Sequence, residues 1–428
     1  MKKLLIIGYV WTEPNSSAAG SRMLELVKLF LDQEFEIIFA SAAALSEHRF
    51  DLSAIGVQEK TIALNDSSFN EFVEKFQPSV VLFDRFFTEE QFGWRVEQVC
   101  PDAIRILDTE DLHSLRHARH QLLKQSQKNS ANETVRQSVN PVLASCEELF
   151  AQMANDDMAQ REIASIFRCD LTLMISPFEI DFLIRYFAVP AQILHYSPFL
   201  RVQDVQQNPL PTFGERQHFI AIGNFRHEPN WDSVVYLKHA IWPLIRAHLP
   251  QAELHIYGAY PPPKATQLHK PNEGFYVKGW AVDANLVMQQ ARVCLAPLRF
   301  GAGIKGKLMD AMRNGTPSVT TSIGAEGMNG DFAWGGALGN NPNAFADAAV
   351  KLYSDEAYWR ESQHRGSVIL DKYFGSQDHS QLLVERFSRL QRDLGRERRQ
   401  NFIGTMLRHH SLKSTQYMSQ WIEAKNRK

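Results

Sequence analysis

The sequence predicts an α/β protein built from two Rossmann-like, doubly wound domains facing across a cleft. Three observations lead there. Apolar strand-like runs alternate with segments of helical spacing through the first half of the chain. An aperiodic stretch, Val202–Gln217, interrupts that alternation with proline, glycine and polar residues, and the alternation then restarts. At 428 residues the chain is also too long for one ordinary core.

In the first half, LLIIGYV, FEIIFAS, SVVLFD, AIRILD, LTLMIS and AQILHYS read as successive buried strands of a parallel sheet. Between the first two, Ser21–Leu31 places Met23, Leu24, Val27, Phe30 and Leu31 at helical spacing, and Asn70–Phe76 and Glu90–Val99 are similar pieces. From about Leu115 to Arg168 runs a Gln/Asn/Ala-rich, mostly helical insertion, a candidate acceptor-side or packing element. Past the linker, HFIAIGNF, AELHIYG, GFYVKGW, ARVCLAP and PSVTTS read as strands, with a helix over about Asp232–Ala247. The expected division is 1–205, 206–386, and a helical, basic tail over 387–428. Two α/β halves so joined bind ligands at the carboxyl ends of their strands.

Composition narrows the class. Hydrophobic content of 44% and charged content of 22% are those of a soluble globular protein. A formal net charge of −2 provides no whole-protein field for nucleic acid. Cys100, Cys146, Cys169 and Cys294 are far apart and form no CxxC pair, which argues against a zinc site or a disulfide framework and for a reducing cytoplasm. The N-terminal apolar run is broken by Thr12, Glu13 and Pro14, so it reads as a first strand and not as a leader. The tail from 392 to 428 carries nine Lys/Arg and three Asp/Glu, a local net of +6. Packing against the first domain and peripheral contact with an anionic membrane are both compatible with that charge.

The most informative run is ARVCLAPLRFGAGIKGKLMDAMRNGTPSVTTSIGAEG, from Ala291 to Gly327. Val293–Leu298 reads as a buried strand. Gly301, Gly303 and Gly306 then allow close backbone approach to a ligand, and Leu308–Arg313 has helical propensity until Gly315 and Pro317 stop it. The helix N-terminus therefore sits beside Lys305 and Lys307, where unpaired N–H groups and the helix dipole favour an anion. Asp310, one turn in, is a carboxylate able to accept both hydroxyls of a ribose. The alternative is a surface loop with Lys307 and Asp310 as an i,i+3 ion pair.

That string resembles the nucleotide-sugar site of GT-B glycosyltransferases, in particular the large bacterial group 1 family that includes glycogen-synthase-like enzymes. It looks like the branch in which a GxGIKGK loop precedes an acidic residue, a small-residue helix and a GxP turn. The resemblance implies a GT-B fold and a nucleoside-diphosphate sugar as donor, gripped by Gly301, Gly303, Ile304, Gly306 and Asp310, with Asn224 contributing from the end of HFIAIGNF. It makes Lys305 and Lys307 partners of the departing diphosphate and Arg226 the basic residue after the first strand of the second domain. Where the family often adds a lysine a few residues later, this chain has Asn230. Where the family has a first acid eight positions before Asp310, it has Ala302, and Glu326 in GAEG is a substitute acid nearby or a helix cap.

On the N-terminal side, PNSSAAGSR opens a helix, with Gly20 allowing ligand approach and Ser21 as a candidate N-cap. The run AIRILDTEDLHSLR ends a strand with Asp108, Glu110, Asp111 and His113. It resembles the family's position for a cleft histidine that touches the transferred sugar, so His113 takes that role, with Asp111 orienting it or capping the next helix. The family implies retention of anomeric configuration without a metal or other cofactor, and a polysaccharide, lipid-linked or protein acceptor. A catalytically weakened scaffold that binds nucleotide or a partner protein, and another GT-B enzyme such as a sugar-nucleotide epimerase, are the alternatives.

Overall fold

The computed structural model describes residues 2–128, 137–200 and 209–427. Much of the expected linker, and the middle of the 115–168 insertion, lie outside the described residues.

Two all-parallel sheets are present. The first contains β1 (Lys2–Gly8), β2 (Phe35–Ser41), β3 (Gln58–Thr61), β4 (Val80–Asp84), β5 (Ile104–Asp108), β6 (Leu171–Met174) and β7 (Leu194–Tyr196), in the order β3-β2-β1-β4-β5-β6-β7. The second contains β8 (Gln217–Ile222), β9 (Leu254–Tyr257), β10 (Phe275–Gly279), β11 (Ala291–Ala296), β12 (Ser318–Thr320) and β13 (Gly336–Leu338), in the order β10-β9-β8-β11-β12-β13. Strand order reverses between β1 and β4 in one sheet and between β8 and β11 in the other. Loops leaving neighbouring strands there diverge to opposite faces and leave a crevice.

Central strands such as β1 and β4 bury nearly every side chain, because helices cover both faces of the sheet. Leu5, Val81 and Leu107 pack on one face with Phe92 and Phe182, while Leu4, Leu82 and Ile106 pack on the other with Val27 and Phe30. The second sheet is covered by Trp242, Ile245 and Phe345 on one face and by Met288 and Ala311 on the other. The helical segment expected over Asp232–Ala247 is Glu228–Tyr236, a π-turn over Leu237–Ile241, and Trp242–His248. Pro243, early in that last piece, lacks an N–H, and the wider turn before it absorbs the lost bond.

The first helix begins earlier than Ser21. It spans Ala18–Asp32 with Ser17 as N-cap, whose hydroxyl accepts the Gly20 N–H at 3.1 Å. Ser21 is already inside the first turn, and its hydroxyl donates to Pro14 O at 2.7 Å.

Candidate active site

The two crevices open on one cleft of about 1290 Å³. His113, Lys305, Lys307, Arg226, Gly20, Asn224, Gly301, Ile304, Gly306 and Asp310 all line it. Gly303 and Glu326 do not.

The glycine loop leaves β11 and turns into the helix Gly306–Arg313. Gly303 has φ +63°, and a Cβ there would come within 2.8 Å of Asp111 Cβ, so the loop is pressed against the first half of the chain. Its N–H donates to Glu179 Oε1 at 2.6 Å, and the same oxygen accepts the Leu112 N–H at 3.3 Å. A Cβ on Gly306 would meet Ala18 Cβ at 2.4 Å. These glycines bring the N-termini of the helices Ala18–Asp32 and Gly306–Arg313 together on one cavity, and helix N-termini favour an anion. Gly20 lines the cleft for a different reason: a Cβ there would meet the Glu13 backbone at 2.3 Å, so the loop needs glycine to close on itself.

Lys305 and Lys307 are held differently. The Lys305 ammonium donates to Gly303 O at 2.6 Å and that of Lys307 to Asn230 Oδ1 at 2.7 Å. Burial lowers both to about 8, with Glu326 opposing the shift at Lys305 and Cys294 at Lys307. Asn230 in turn donates from Nδ2 to Asn224 O at 2.9 Å. The residue standing in place of a second lysine therefore steers Lys307. Asp310 does not pair with Lys307. Its carboxylate lies 3.5 Å from Arg313 Nη1 with half of its side chain open to the cleft, and the cleft walls raise it to about 6 against the pull of Arg313. Arg226 sits at the rim, its guanidinium 3.6 Å from the centre of the Tyr260 ring.

Glu326 is turned away from the cleft and paired instead. Both of its oxygens are taken by Arg119, at 2.8 and 2.7 Å, and Arg119 also donates to Gly301 O at 2.8 Å. Nor does it cap a following helix, since it ends the short helix Ser322–Ala325. The geometry makes it the counter-charge of a buried arginine that fixes the start of the glycine loop. Ala302 is 8% exposed and packs with the apolar core of the first half of the chain.

Across the cleft, His113 starts the helix His113–Lys128. Glu162 caps that helix from a distance, accepting the His113 N–H at 2.9 Å and the Ser114 N–H at 2.8 Å. Asp111 is thus free to orient the ring: its Oδ1 lies 3.3 Å from His113 Nε2, while Arg116 approaches Nδ1 at 3.0 Å and also pairs with Asp111. Burial and the neighbouring arginines lower His113 to about 3 despite Asp111, so the imidazole is neutral at physiological pH.

Beside His113, β4 and β5 end in register at Asp84 and Asp108, both buried. The residues that follow leave the strands with positive φ, Arg85 at +68° and Glu110 at +62°, which turns both into the cleft. Arg22 pairs with Asp108 and lies 3.7 Å from Glu110. Burial and Asp108 hold the Glu110 carboxyl well above its ordinary value, Arg22 opposing.

Arg116, Arg119, Glu162, Glu179 and Asn230 are site-building residues to which the sequence assigns no role. The halves also touch at the rim, where Asn224 Nδ2 donates to Ser16 Oγ at 3.0 Å and Tyr260 OH to Glu13 Oε1 at 2.8 Å.

Residues 216–355, which contain the whole glycine loop, match the family model of the group 1 glycosyl transferases. No curated relative matches the chain by sequence. Among solved structures, HepE of Anabaena in complex with UDP and glucose is similar over 91% of this chain and 100% of its own, at 10% identity and a TM-score of 0.63. TarM of S. aureus, in complex with fondaparinux, α-GlcNAc-glycerol and UDP, aligns over 91% and 99% at 9% identity and a TM-score of 0.64. The sucrose-phosphate synthase of Thermosynechococcus elongatus aligns over 91% and 99% at 14% identity and a TM-score of 0.60. At such identities the likeness establishes the fold, GT-B, while the family match falls on the half that carries the loop. The chain accordingly has the GT-B fold, and residues 216–355 match the group 1 glycosyl transferases.

Proposed function

We propose that the protein transfers a sugar from a nucleoside-diphosphate donor to a glycan, lipid-linked or protein acceptor, with retention of configuration and without a metal. The observation that carries this reading is the pair of buried ammonium groups, Lys305 and Lys307, beside the N-terminus of Gly306–Arg313 with Asp310 one turn further in. The lysines and the helix dipole offset charge that grows on the departing diphosphate, and Arg226 assists from the rim. Asp310 accepts the ribose hydroxyls; Gly301, Ile304 and Asn224 line the donor pocket. His113, neutral and braced by Asp111 and Arg116, hydrogen-bonds the transferred sugar from the opposite wall.

In this reaction the bond from the anomeric carbon to the phosphate oxygen breaks, and the acceptor oxygen bonds to the same face of that carbon. The acceptor proton passes to the leaving phosphate oxygen. Residues 1–205 form the acceptor side and 206–386 the donor side, and four free thiols suit a reducing cytoplasm. UDP in the HepE and TarM complexes supports a nucleoside diphosphate as ligand.

Thermal unfolding of the whole protein with nucleoside diphosphates and their sugars tests the reading, since a ligand of the native state raises the apparent stability. A matched diphosphate and sugar nucleotide should each raise Tm, and turnover of the latter should follow. No shift with any base would overturn the donor assignment. A shift without turnover on any acceptor would favour a nucleotide-binding scaffold, the reading that Ala302 supports.

A further inference from the structure

We propose that the outward face of the terminal helix Phe402–Asn426 docks the protein on an anionic lipid surface, an interaction separate from the transfer reaction. The helix is inverted relative to an ordinary packed helix. Its inner face, against the helices Phe86–Val99 and Asp157–Arg168, is mainly small or polar, with Leu407 as an apolar contact to the core. A Cβ on Gly404 would lie 2.1 Å from Phe167 O, Arg408 donates to Arg168 O at 3.2 Å, Ser419 Oγ accepts from Arg95 at 3.3 Å, and Glu423 Oε1 accepts the Ser67 N–H at 3.3 Å. Such directional contacts fix the rotation of the helix, so its outer face is determined.

That outer face carries the large apolar groups. Phe402 is 71% exposed, Tyr417 64% and Trp421 60%, with Ile403, Met406 and Met418 also open to solvent. At 3.6 residues per turn these six fall within about 160° of arc, in two clusters four turns apart, so both clusters share one face of the helix. A core helix would have turned them inward. Isolated exposed apolar groups need no explanation, whereas two clusters of three large groups on one face mark a contact surface.

Charge identifies the partner. Arg392, Arg396, Arg399, Lys413 and Lys425 are exposed on this helix and the one before it. Among the described residues from Arg392 to Arg427, Asp393 is the one exposed carboxylate; Glu397 and Glu423 are taken up in ion pairs. Aromatic and aliphatic groups flanked by bases suit insertion at the level of lipid headgroups, with the bases held by anionic lipid. No described helix is long and apolar enough to cross a membrane, so the attachment is to one face.

Flotation of the full chain with phosphatidylcholine vesicles, with and without phosphatidylglycerol, tests this. Binding is expected only with phosphatidylglycerol and should fall as salt rises, because the screening length shrinks from about 10 Å at 0.1 M to about 3 Å at 1 M. The triple variant Phe402→Ser/Met406→Ser/Trp421→Ser should lose flotation with its unfolding temperature unchanged. Lys413→Glu/Lys425→Glu should weaken partition by more than about fivefold per site. Three results would each overturn the proposal: no binding to phosphatidylglycerol vesicles at low salt, binding that neither variant reduces, or self-association of the wild type that the triple variant abolishes while no vesicles bind.

Discussion

Binding of a nucleoside diphosphate near pH 8 should take up about one proton per protein molecule. In the free protein, burial has lowered Lys305 and Lys307 to about 8, so at that pH each is about half charged. A diphosphate seated beside them favours the ammonium form and restores both to full charge, an uptake of about half a proton from each lysine. The phosphates are already ionised there, their second pKa lying near 6. The sign is therefore fixed: complex formation binds protons, and affinity falls as pH rises through 8. With both lysines uncharged in most free molecules at pH 9 and charged at pH 7, affinity should drop on the order of a hundredfold between the two. Titration calorimetry in buffers of different ionisation enthalpy measures the uptake directly. Lys305→Met and Lys307→Met should each halve it, and Asn230→Asp, which puts a carboxylate on the Lys307 ammonium, should move half of the transition to higher pH. Zero proton uptake at pH 8 with a flat affinity from pH 7 to 9 would refute the role of both lysines.

Asp310→Asn should weaken nucleoside-diphosphate binding by about tenfold, the worth of one hydrogen bond to a charged group, with little change in kcat because ribose contacts are equal in ground and transition states. Unchanged affinity in the same titration would move the ribose contact elsewhere. His113→Ala should leave that affinity intact and lower kcat by about tenfold to a hundredfold; and since the ring titrates near 3, the wild-type pH profile should show no limb from it between pH 5 and 8. Wild-type turnover in the variant would remove His113 from the site. Glu326→Ala should lower unfolding stability by about 3 kcal/mol, because it strands the buried Arg119 guanidinium. Denaturant unfolding checks this, and unaltered stability combined with lost donor binding would return Glu326 to the donor pocket.

What the sequence reveals of this fold follows burial. Central strands such as β4, buried on both faces, read as continuous apolar runs and are found at sight. The two strands that escape detection, β3 with the sequence QEKT and β13 with GAL, are edge strands: one is polar and mostly exposed, the other three residues long. The glycine loop is legible because its chemistry is local, with loop, lysines, helix start and Asp310 inside one short run. Its supports are not local. Arg119 and Glu326 lie 207 residues apart, Glu179 and Gly303 124 apart. In the helix Pro177–Phe187 the N-cap residue Ser176 makes no side-chain capping bond, and Glu179 in the first turn reaches the glycine loop instead of the helix start. A residue at a helix start thus serves a partner 124 residues away.

The way these supports are distributed bears on how the cleft works. The donor loop is not carried by the second sheet alone. Gly303 hangs from Glu179 and Gly301 from Arg119, both on helices of the first half, and Ala302 between them packs into that half's core. Glu179 Oε1 also receives the Leu112 N–H, one residue from His113, so a single carboxylate oxygen ties the donor loop to the segment that presents the histidine. Burial, with Asp111 adding to it, raises that carboxyl to about 8, and its second oxygen has no hydrogen-bond partner among the described residues, so at neutral pH it is held mainly in the uncharged form. An uncharged carboxyl gives weaker bonds to the two N–H groups than a carboxylate does. The link between the glycine loop and the histidine segment is therefore a pair of bonds to a mainly neutral carboxyl, of modest strength. Opposite it, the rim contacts from Asn224 to Ser16 and from Tyr260 to Glu13 are single hydrogen bonds. Beneath the glycine loop the halves are held more firmly, by the buried Arg119–Glu326 pair and by Ile175 and Phe199 packing with Ile304 and Leu308, so opening at the rim costs less than opening at the base of the cleft.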